Sequence, residues 1–429
     1  MDLLDETVTA SDVTSARPAV PRRARFAAYA AVFLAFLDNF ALLPLIAPRA
    51  QELGADALGV GLAVAAYSLT NLVLNLVGGS LTDRVGRRMI LLISLAISPI
   101  CIAIYGLADS LPVFLAARIV HGAFGGFLTA SLFALVADLA PEGERGRTIG
   151  RAGALIGAAA VVGPAVAGLA ARELGSGPVF LGVAAIIAIG LVAVRGAIPE
   201  TLPPAARSDR PGTWGRLLAE PRLRVAYLAI FGLEAGVGIV TGFLKDGIIE
   251  RQIAAGMDME RALRYATGAQ GGLFSIFALV AVVLMLSPLA RRVDRRGVLG
   301  LSMAGLAFLA VSTAILGFGG AIVTDSVAMV LYGIGFGLLF PAAAGMVGIA
   351  ASAPERGRAF GIFNFSFDAG ISVGPLLAGA LAASTLGVEP FLTATLLIAA
   401  VALVIPLAAR GHPSVDAATE LPAEGGRSG

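Results

Sequence analysis

Apolar stretches recur along this chain at lengths close to the thickness of a bilayer, and that recurrence constrains its fold more than any other feature. Reading from break to break gives runs near 25–47, 57–79, 89–108, 110–137, 149–171 and 177–197, then near 223–250, 263–290, 298–320, 322–350, 359–386 and 388–408. A helix needs about 20 mostly apolar residues to cross the hydrocarbon. In lipid the backbone must satisfy its own polar groups, so runs of this length read as helices. With 57% hydrophobic and 14% charged residues, the chain cannot build the surface of a soluble globule. The expected fold class is an all-α membrane protein with twelve transmembrane helices.

The breaks divide the chain. Residues 1–24 read as a polar N-terminal tail, 25–198 as a six-helix bundle, 199–222 as a Pro- and Arg-rich linker, 223–408 as a second six-helix bundle and 409–429 as a C-terminal tail. Of the 31 Lys and Arg, 24 fall in the tails, the linker and loops 2/3, 4/5, 8/9 and 10/11, 6 fall on the opposite side, and Arg118 lies inside a span. Positive charge marks the cytoplasmic face, so both termini are expected in the cytoplasm of a multi-pass plasma (inner) membrane protein. Acids precede Arg22, Arg23 and Arg25, without a short apolar core or a small-residue cleavage site, so no cleavable signal peptide is expected. A net charge of +2 gives no reason to expect a nucleic-acid partner. The single cysteine, Cys101, excludes an intrachain disulfide and a cysteine metal cluster, and neither metal nor cofactor is expected. The preference for Arg over Lys, with abundant Ala and Gly, points to a GC-rich prokaryotic genome.

The two bundles repeat. Arg145-Gly146-Arg147 followed by Gly163-Pro164 returns as Arg356-Gly357-Arg358 followed by Gly374-Pro375, displaced by 211 residues, with Ala-Pro-Glu just upstream each time. A charged loop and a Gly-Pro kept at one spacing indicate a duplicated, pseudo-symmetric six-helix unit, with any substrate site between the two near mid-membrane.

Between the second and third runs stands Gly79-Ser80-Leu81-Thr82-Asp83-Arg84-Val85-Gly86-Arg87-Arg88, whose clustered charges predict a tight loop at the membrane surface. Its spacing, G-x-x-x-D-R-x-G-R-R, resembles the signature loop of the major facilitator superfamily of secondary transporters, and the chain as a whole resembles the twelve-helix drug:proton antiporters of that group. The resemblance implies alternating access. It also implies that Asp83 and Arg87 join Asp138 in a charge cluster that latches the outward-facing state, with Gly79, Arg84, Gly86 and Arg88 completing the motif. In the second bundle the motif is degraded, with Arg291 and Asp294 at the positions of Asp83 and Gly86.

Span 4 carries Arg118-Ile119-Val120-His121-Gly122-Ala123-Phe124-Gly125-Gly126. Arg118 shares a face with Gly122, Gly125 and Thr129, and resembles the family's span-4 arginine linked to proton transfer. By register its repeat mate is Leu331. His121, where that motif usually has Gln, reads either as a polar link between helices or as a proton site. Span 5 resembles the antiporter motif through Gly150, Gly163, Pro164 and Gly168, with Ala159 and Ala167 where glycines are usual.

Three carboxylates lie within spans: Asp38, Glu234 and Asp368. Ionisable groups at that depth face cavities or partners rather than lipid, and each acid reads as proton-coupling or as an interhelical hydrogen-bond partner. Counting about 1.5 Å per residue puts Asp38 and Arg118 at nearly the same depth, which predicts that they pair. Polar stripes at Tyr67, Asn71 and Asn75, at Glu234, Gly238 and Thr241, and at Asn364, Asp368 and Ser372, together with His121, are candidates for a substrate cavity.

These features predict a proton-coupled secondary transporter that exports a small amphipathic or drug-like molecule. Its partners would be that substrate, protons and membrane lipids, and it is expected to be a monomer. An uptake symporter or facilitator on the same scaffold is the alternative, and a non-transporting membrane receptor is the reading from a different class. No G-x-x-x-x-G-K-[ST] loop is present, which leaves ATP without a site; no H-E-x-x-H occurs either, and no enzymatic activity is expected. Topology gives a direct test: cysteines at Asp109 and Arg207 in a Cys101→Ser background should react with an impermeant thiol reagent from opposite sides of the membrane. Labelling of both from one side would overturn the orientation or the helix count.

Overall fold

The computed structural model describes residues 21–55, 57–141, 144–207, 214–287, 298–385 and 388–409. Among them there is no strand, and twelve helices are long and apolar enough to cross a membrane. The first six are α1 (Arg22–Glu52), α2 (Ala57–Val85), α3 (Arg87–Leu107), α4 (Leu111–Asp138), α5 (Arg145–Leu174) and α6 (Ser176–Val194). The last six are α7 (Pro221–Ala254), α8 (Met259–Leu286), α9 (Val298–Phe318), α10 (Ile322–Ala350), α11 (Arg356–Ala383) and α12 (Pro390–Ala408). A 3-10 turn, Pro204–Ala206, and a short helix, Trp214–Ala219, lie between the sets.

Several helices outrun their apolar cores. α1 continues to Glu52 and α7 to Ala254, because charged residues at those ends find partners in neighbouring helices and need not interrupt the backbone. The largest departure from expectation is the stretch Gly79–Arg88. It is not a loop: α2 runs on through Val85, α3 begins at Arg87, and Gly86 alone separates them at φ +116°. A side chain at Gly86 would be strained by that φ and would also meet the Glu200 carboxylate. The degraded copy at Arg291 and Asp294 lies outside the described residues.

Within the first set, α2 packs on α4, α1 on α5, and α3 on both α4 and α6. Within the last set, α7 packs on α11, α9 on α10 and α8 on α10. Glycines set these contacts at matching places. Gly122 and Gly126 press α4 against the backbone of α2, and Gly333 and Gly337, each 211 residues on, press α10 against α8. This register pairs His121 with Tyr332 and Arg118 with Met329, so the sequence alignment of Arg118 with Leu331 is two residues out.

The two sets meet through α2 with α11, through α5 with α8 and α10, and through α4 with α11. At the α2–α11 crossing backbone lies on backbone, since a Cβ at Gly79 would strike the Gly357 carbonyl and one at Gly357 would crowd the Gly79 carbonyl and the Asp83 carboxylate. At the end of the molecule opposite the chain termini, Arg49 of α1 caps the C-terminus of α3, donating to the carbonyls of Tyr105 (3.1 Å), Gly106 (3.2 Å) and Ala108 (2.8 Å). Arg49 also donates to Glu52, and that bond holds the Glu52 carboxyl below the usual carboxylate range. Arg251 of α7 repeats the device on the Gly319 carbonyl and Asp325. Terminal carbonyls of a helix lack intrahelical partners, so these arginines fix the ends of α3 and α9.

Arg49→Gln should therefore loosen the end of α3 that carries Tyr105. Hydrogen bonds from a charged donor contribute about 1.5–3 kcal/mol each. Amide hydrogen exchange across residues 105–112 is expected to accelerate about tenfold or more in the variant, and unchanged exchange would show the cap to be energetically silent.

Candidate functional site

Polar residues within the bundle gather in three places: one at the end that carries the termini, one between the helix sets, and one inside the first set.

At the termini-side end, Asp83 accepts the first-turn amides of α11, Gly357 N at 2.8 Å and Arg358 N at 2.9 Å, and pairs with Arg87 at 3.2 Å and Arg358 at 3.3 Å. A carboxylate at a helix N-terminus satisfies orphan amides and meets the positive end of the helix dipole. Arg87, with no exposed surface, continues to Asp138 (3.2 Å) and to the carbonyl of Ala353. Asp138 in turn holds Arg356 of α11, whose Nε donates to Gly348 at 3.0 Å. The expected cluster of Asp83, Arg87 and Asp138 is thus assembled, and each member reaches the opposite helix set. Among the described residues the Arg88 side chain donates only to the carbonyl of Arg195, and Arg84 is exposed, with no hydrogen bond or ion pair there.

Two participants escaped the sequence reading. Glu200, just past α6, accepts the backbone amides of Arg87 (3.0 Å), Arg88 (3.3 Å) and Leu202 (2.9 Å), and so caps α3 as Asp83 caps α11. Thr201 donates to Asp138 at 2.7 Å. Above this cluster Phe133 of α4 is wedged among Phe340, Phe360 and Phe363, with ring centroids 5.8–6.5 Å away. Phe340 of α10 and Phe360 and Phe363 of α11 form, with Phe133 of α4, an aromatic plug between the helix sets.

Between the sets, Asp368 of α11 accepts Asn75 Nδ2 at 2.7 Å, and Thr129 donates to Asn75 Oδ1 at 2.8 Å. With its amide turned so that Oδ1 takes the Gly126 amide, Asn71 also reaches Asp368, at 2.8 Å. Glu234 of α7 lies within electrostatic reach of Asp368, is 1% exposed, and its Oε1 has no hydrogen-bond partner among the described residues. Asn364 Nδ2 is likewise unpartnered there. Among the described residues no basic side chain forms an ion pair with either acid. Ser372 is half-buried nearby, while Thr241 is exposed and contributes a carbonyl to Gln270. Ser372 also falls within Gly370-Ile371-Ser372-Val373-Gly374, the G-x-S-x-G spacing of a hydrolase elbow. That elbow requires a strand-to-helix turn. Here the segment is unbroken helix, and both glycines press against α7.

Inside the first set the pairing differs from expectation. Asp38 does not pair with Arg118. His121 Nε2 lies 3.1 Å from Asp38 Oδ1 and 3.2 Å from Oδ2, Ser98 donates to the same carboxylate, and Tyr105 Oη sits 2.9 Å from His121 Nδ1. Arg118 instead donates to the carbonyls of Ala63 (2.9 Å) and Val64 (3.2 Å) and lies over the rings of Tyr67 and Tyr105 at 5.0 and 5.7 Å. Depth alone misleads here, because the face that Arg118 shares with Gly122 and Gly125 is the one pressed on α2. His121, one turn on, looks towards α1 and α3. It is therefore enclosed, at 1% exposure, rather than lining a cavity. Tyr67, Asn71 and Asn75 are likewise buried against α4, with Asn71 and Asn75 extending to Asp368. The last set repeats the plan, with Tyr332 donating to the Leu233 carbonyl beside Glu234 at 3.3 Å, where the first set has His121 against Asp38.

In α5, Gly150 packs near the Met285 carbonyl and Gly163 against Ala41 of α1, Pro164 sits within the helix, and Gly168 faces open space. The motif glycines thus serve packing at two of three positions.

Two six-helix sets of related internal packing, joined by a charged cluster at one end and buried carboxylates between them, define a two-bundle membrane transporter. The sequence profile of the Major Facilitator Superfamily matches residues 28–348 and 258–428, and the chain belongs to that family. It is 26% identical over 147 residues to the quinolone resistance protein NorA of Staphylococcus aureus, covering 34% of this chain and 38% of that protein. It is 25% identical over 209 residues to multidrug resistance protein 1 of Bacillus subtilis, covering 48% and 54%. The matches thus span about half or less of these relatives. Solved structures of the human organic anion transporter MFSD10 (TETRAN) and of the transporter FucP in its outward conformation share the fold, with TM-scores of 0.74 and 0.68 at 19% and 15% identity. Each likeness covers 90% of this chain and 99% of the other.

Asp83→Asn keeps the shape of the side chain but removes the charge from both helix-end bonds. The closed cluster is expected to lose about 1.5–3 kcal/mol, a shift of about tenfold or more between closed and open populations. Spin labels at Arg84 and Ser352 should report a longer, broader distance distribution. An unchanged distribution would reduce Asp83 to a helix cap without a latching role.

Proposed function

We propose that this protein is a proton-coupled exporter of small amphipathic molecules that works by alternating access. The observation that carries this reading is the arrangement between the helix sets, where Asp368 is held from the opposite set by Asn75 and Glu234, within its electrostatic reach, has no basic partner among the described residues. Carboxylates at membrane depth are costly to keep ionised. They suit a site that exchanges protons, and a substrate entering the same space competes with them. Export, rather than uptake, is favoured by the resistance proteins among the relatives and by Gly150, Gly163 and Pro164 of the antiporter motif.

With the termini in the cytoplasm, closure at that end fits the outward-facing state of an alternating-access cycle. The Asp83–Arg87–Asp138 cluster and the Phe133 plug bar the cytoplasmic route, while Asp38, Glu234 and Asp368 lie above them. Protonation from outside and release of substrate would then precede opening of the cluster, after which the proton leaves to the cytoplasm and new substrate binds.

Asp38 is the first candidate for the coupling acid. Asp38→Asn retains a hydrogen-bonding side chain but removes the carboxylate charge, so substrate accumulation driven by an imposed pH gradient in proteoliposomes should be abolished while substrate still binds. Full gradient-driven accumulation in that variant would move the coupling to Glu234 or Asp368. No accumulation by the unmodified protein under any pH gradient would sink the proton-coupled reading itself.

A further inference from the structure

We propose that His121 is the proton-exchanging partner of Asp38, and that Arg118 is a fixed positive charge that takes no part in the transfer. The inference rests on the proton-coupled reading above and assigns a positioning and proton-holding role within it.

The geometry favours His121 in three respects. Both ring nitrogens are engaged, Nε2 by Asp38 and Ser98 and Nδ1 by Tyr105. Arg118 is committed to two carbonyls of α2, and a guanidinium does not deprotonate in a protein. The titratable groups facing His121 are Asp38 of α1, Tyr67 of α2 and Tyr105 of α3, with Cys101 near Asp38 and Arg118 over the Tyr67 and Tyr105 rings. Of these, the imidazole is the side chain whose ordinary charge change falls between about pH 5 and 8.

The network can take up a proton without moving a heavy atom. In one state His121 is neutral, its Nε2–H donates to ionised Asp38, and the Tyr105 hydroxyl donates to Nδ1. Adding one proton at Nδ1 makes the imidazole a donor on both sides, and the Tyr105 hydroxyl rotates to accept. The Asp38–His121 pair thereby passes from a net charge of −1 to 0, and Arg118 remains +1 throughout. Arg49, which holds the Tyr105 carbonyl, keeps that hydroxyl in range. A glutamine at 121 could make the same hydrogen bonds but could not carry the proton, and that difference separates a proton role from a merely structural one.

The chain has two histidines, His121 and His412 in the C-terminal tail, so His412→Gln leaves a single imidazole to observe. With 15N-histidine labelling in that background, the His121 ring signals are expected to pass through a protonation change between about pH 5 and 9. In Asp38→Asn that change should be displaced, because the ring loses its ionised partner. In proteoliposomes, His121→Gln should lose the stimulation of transport by a pH gradient while keeping downhill substrate flux, which also shows that the variant is folded. Ring signals that stay fixed across that range, or gradient stimulation in His121→Gln equal to that of the unmodified protein, would overturn the proposal. If the unmodified protein shows no gradient stimulation, the antiport reading fails and this inference with it. A normal unmodified protein with an equally normal His121→Gln defeats this inference alone.

Discussion

The structure described here depends on one carboxylate, that of Asp83, set against the first turn of α11. A helix that begins at the membrane surface leaves amides without partners, and α11 supplies no side chain of its own to cap them. The cap comes from the opposite helix set. The end of α11 is therefore satisfied only while α2 lies against it, which ties a local requirement of secondary structure to the global arrangement of the molecule. Arg87 and Asp138 pass this dependence on to α4 and Arg356, and Glu200 and Thr201 extend it into the linker. Burial makes each bond stronger than it would be in water, and equally makes each expensive to leave half-made.

A duplicated backbone has been given unequal chemistry. Both sets cross their fourth helix over their second through glycines at one register, and both cap their third helix with an arginine from their first. At the centre they diverge. The first set places an imidazole against its acid and adds Arg118, whereas the last places Tyr332 beside Glu234, which has no ion-pair partner among the described residues. Packing is what the duplication preserved, while ionisable groups were free to differ because glycine contacts on one face do not dictate what the adjacent face carries.

Helix count and order were plain in the hydropathy, since no other structure satisfies a run of some 20 apolar residues in lipid. The charge cluster was legible too, because Asp83 and Arg87 belong to a motif whose spacing survives and the family resemblance adds Asp138. Three things were not. The break between α2 and α3 looked like a loop because its charges were weighed against lipid, whereas they are matched by partners from α4 and α11 far away in sequence. Depth along a helix located a basic group near Asp38 but not the angle at which it projects, and angle separates His121 from Arg118. Glu200 and Thr201 act through backbone amides and a single hydroxyl, contacts that leave no pattern in residue types.

The crossing of Gly79 with Gly357 has a further consequence. Where two bare backbones touch, no side chain can swing aside to ease separation, and no intermediate set of contacts replaces the ones that are lost. Apart from the Gly357 and Arg358 amides that Asp83 holds, the peptide groups at the crossing are bonded within their own helices, so the contact is one of shape, and a methyl group at either glycine would hold the two helix sets apart.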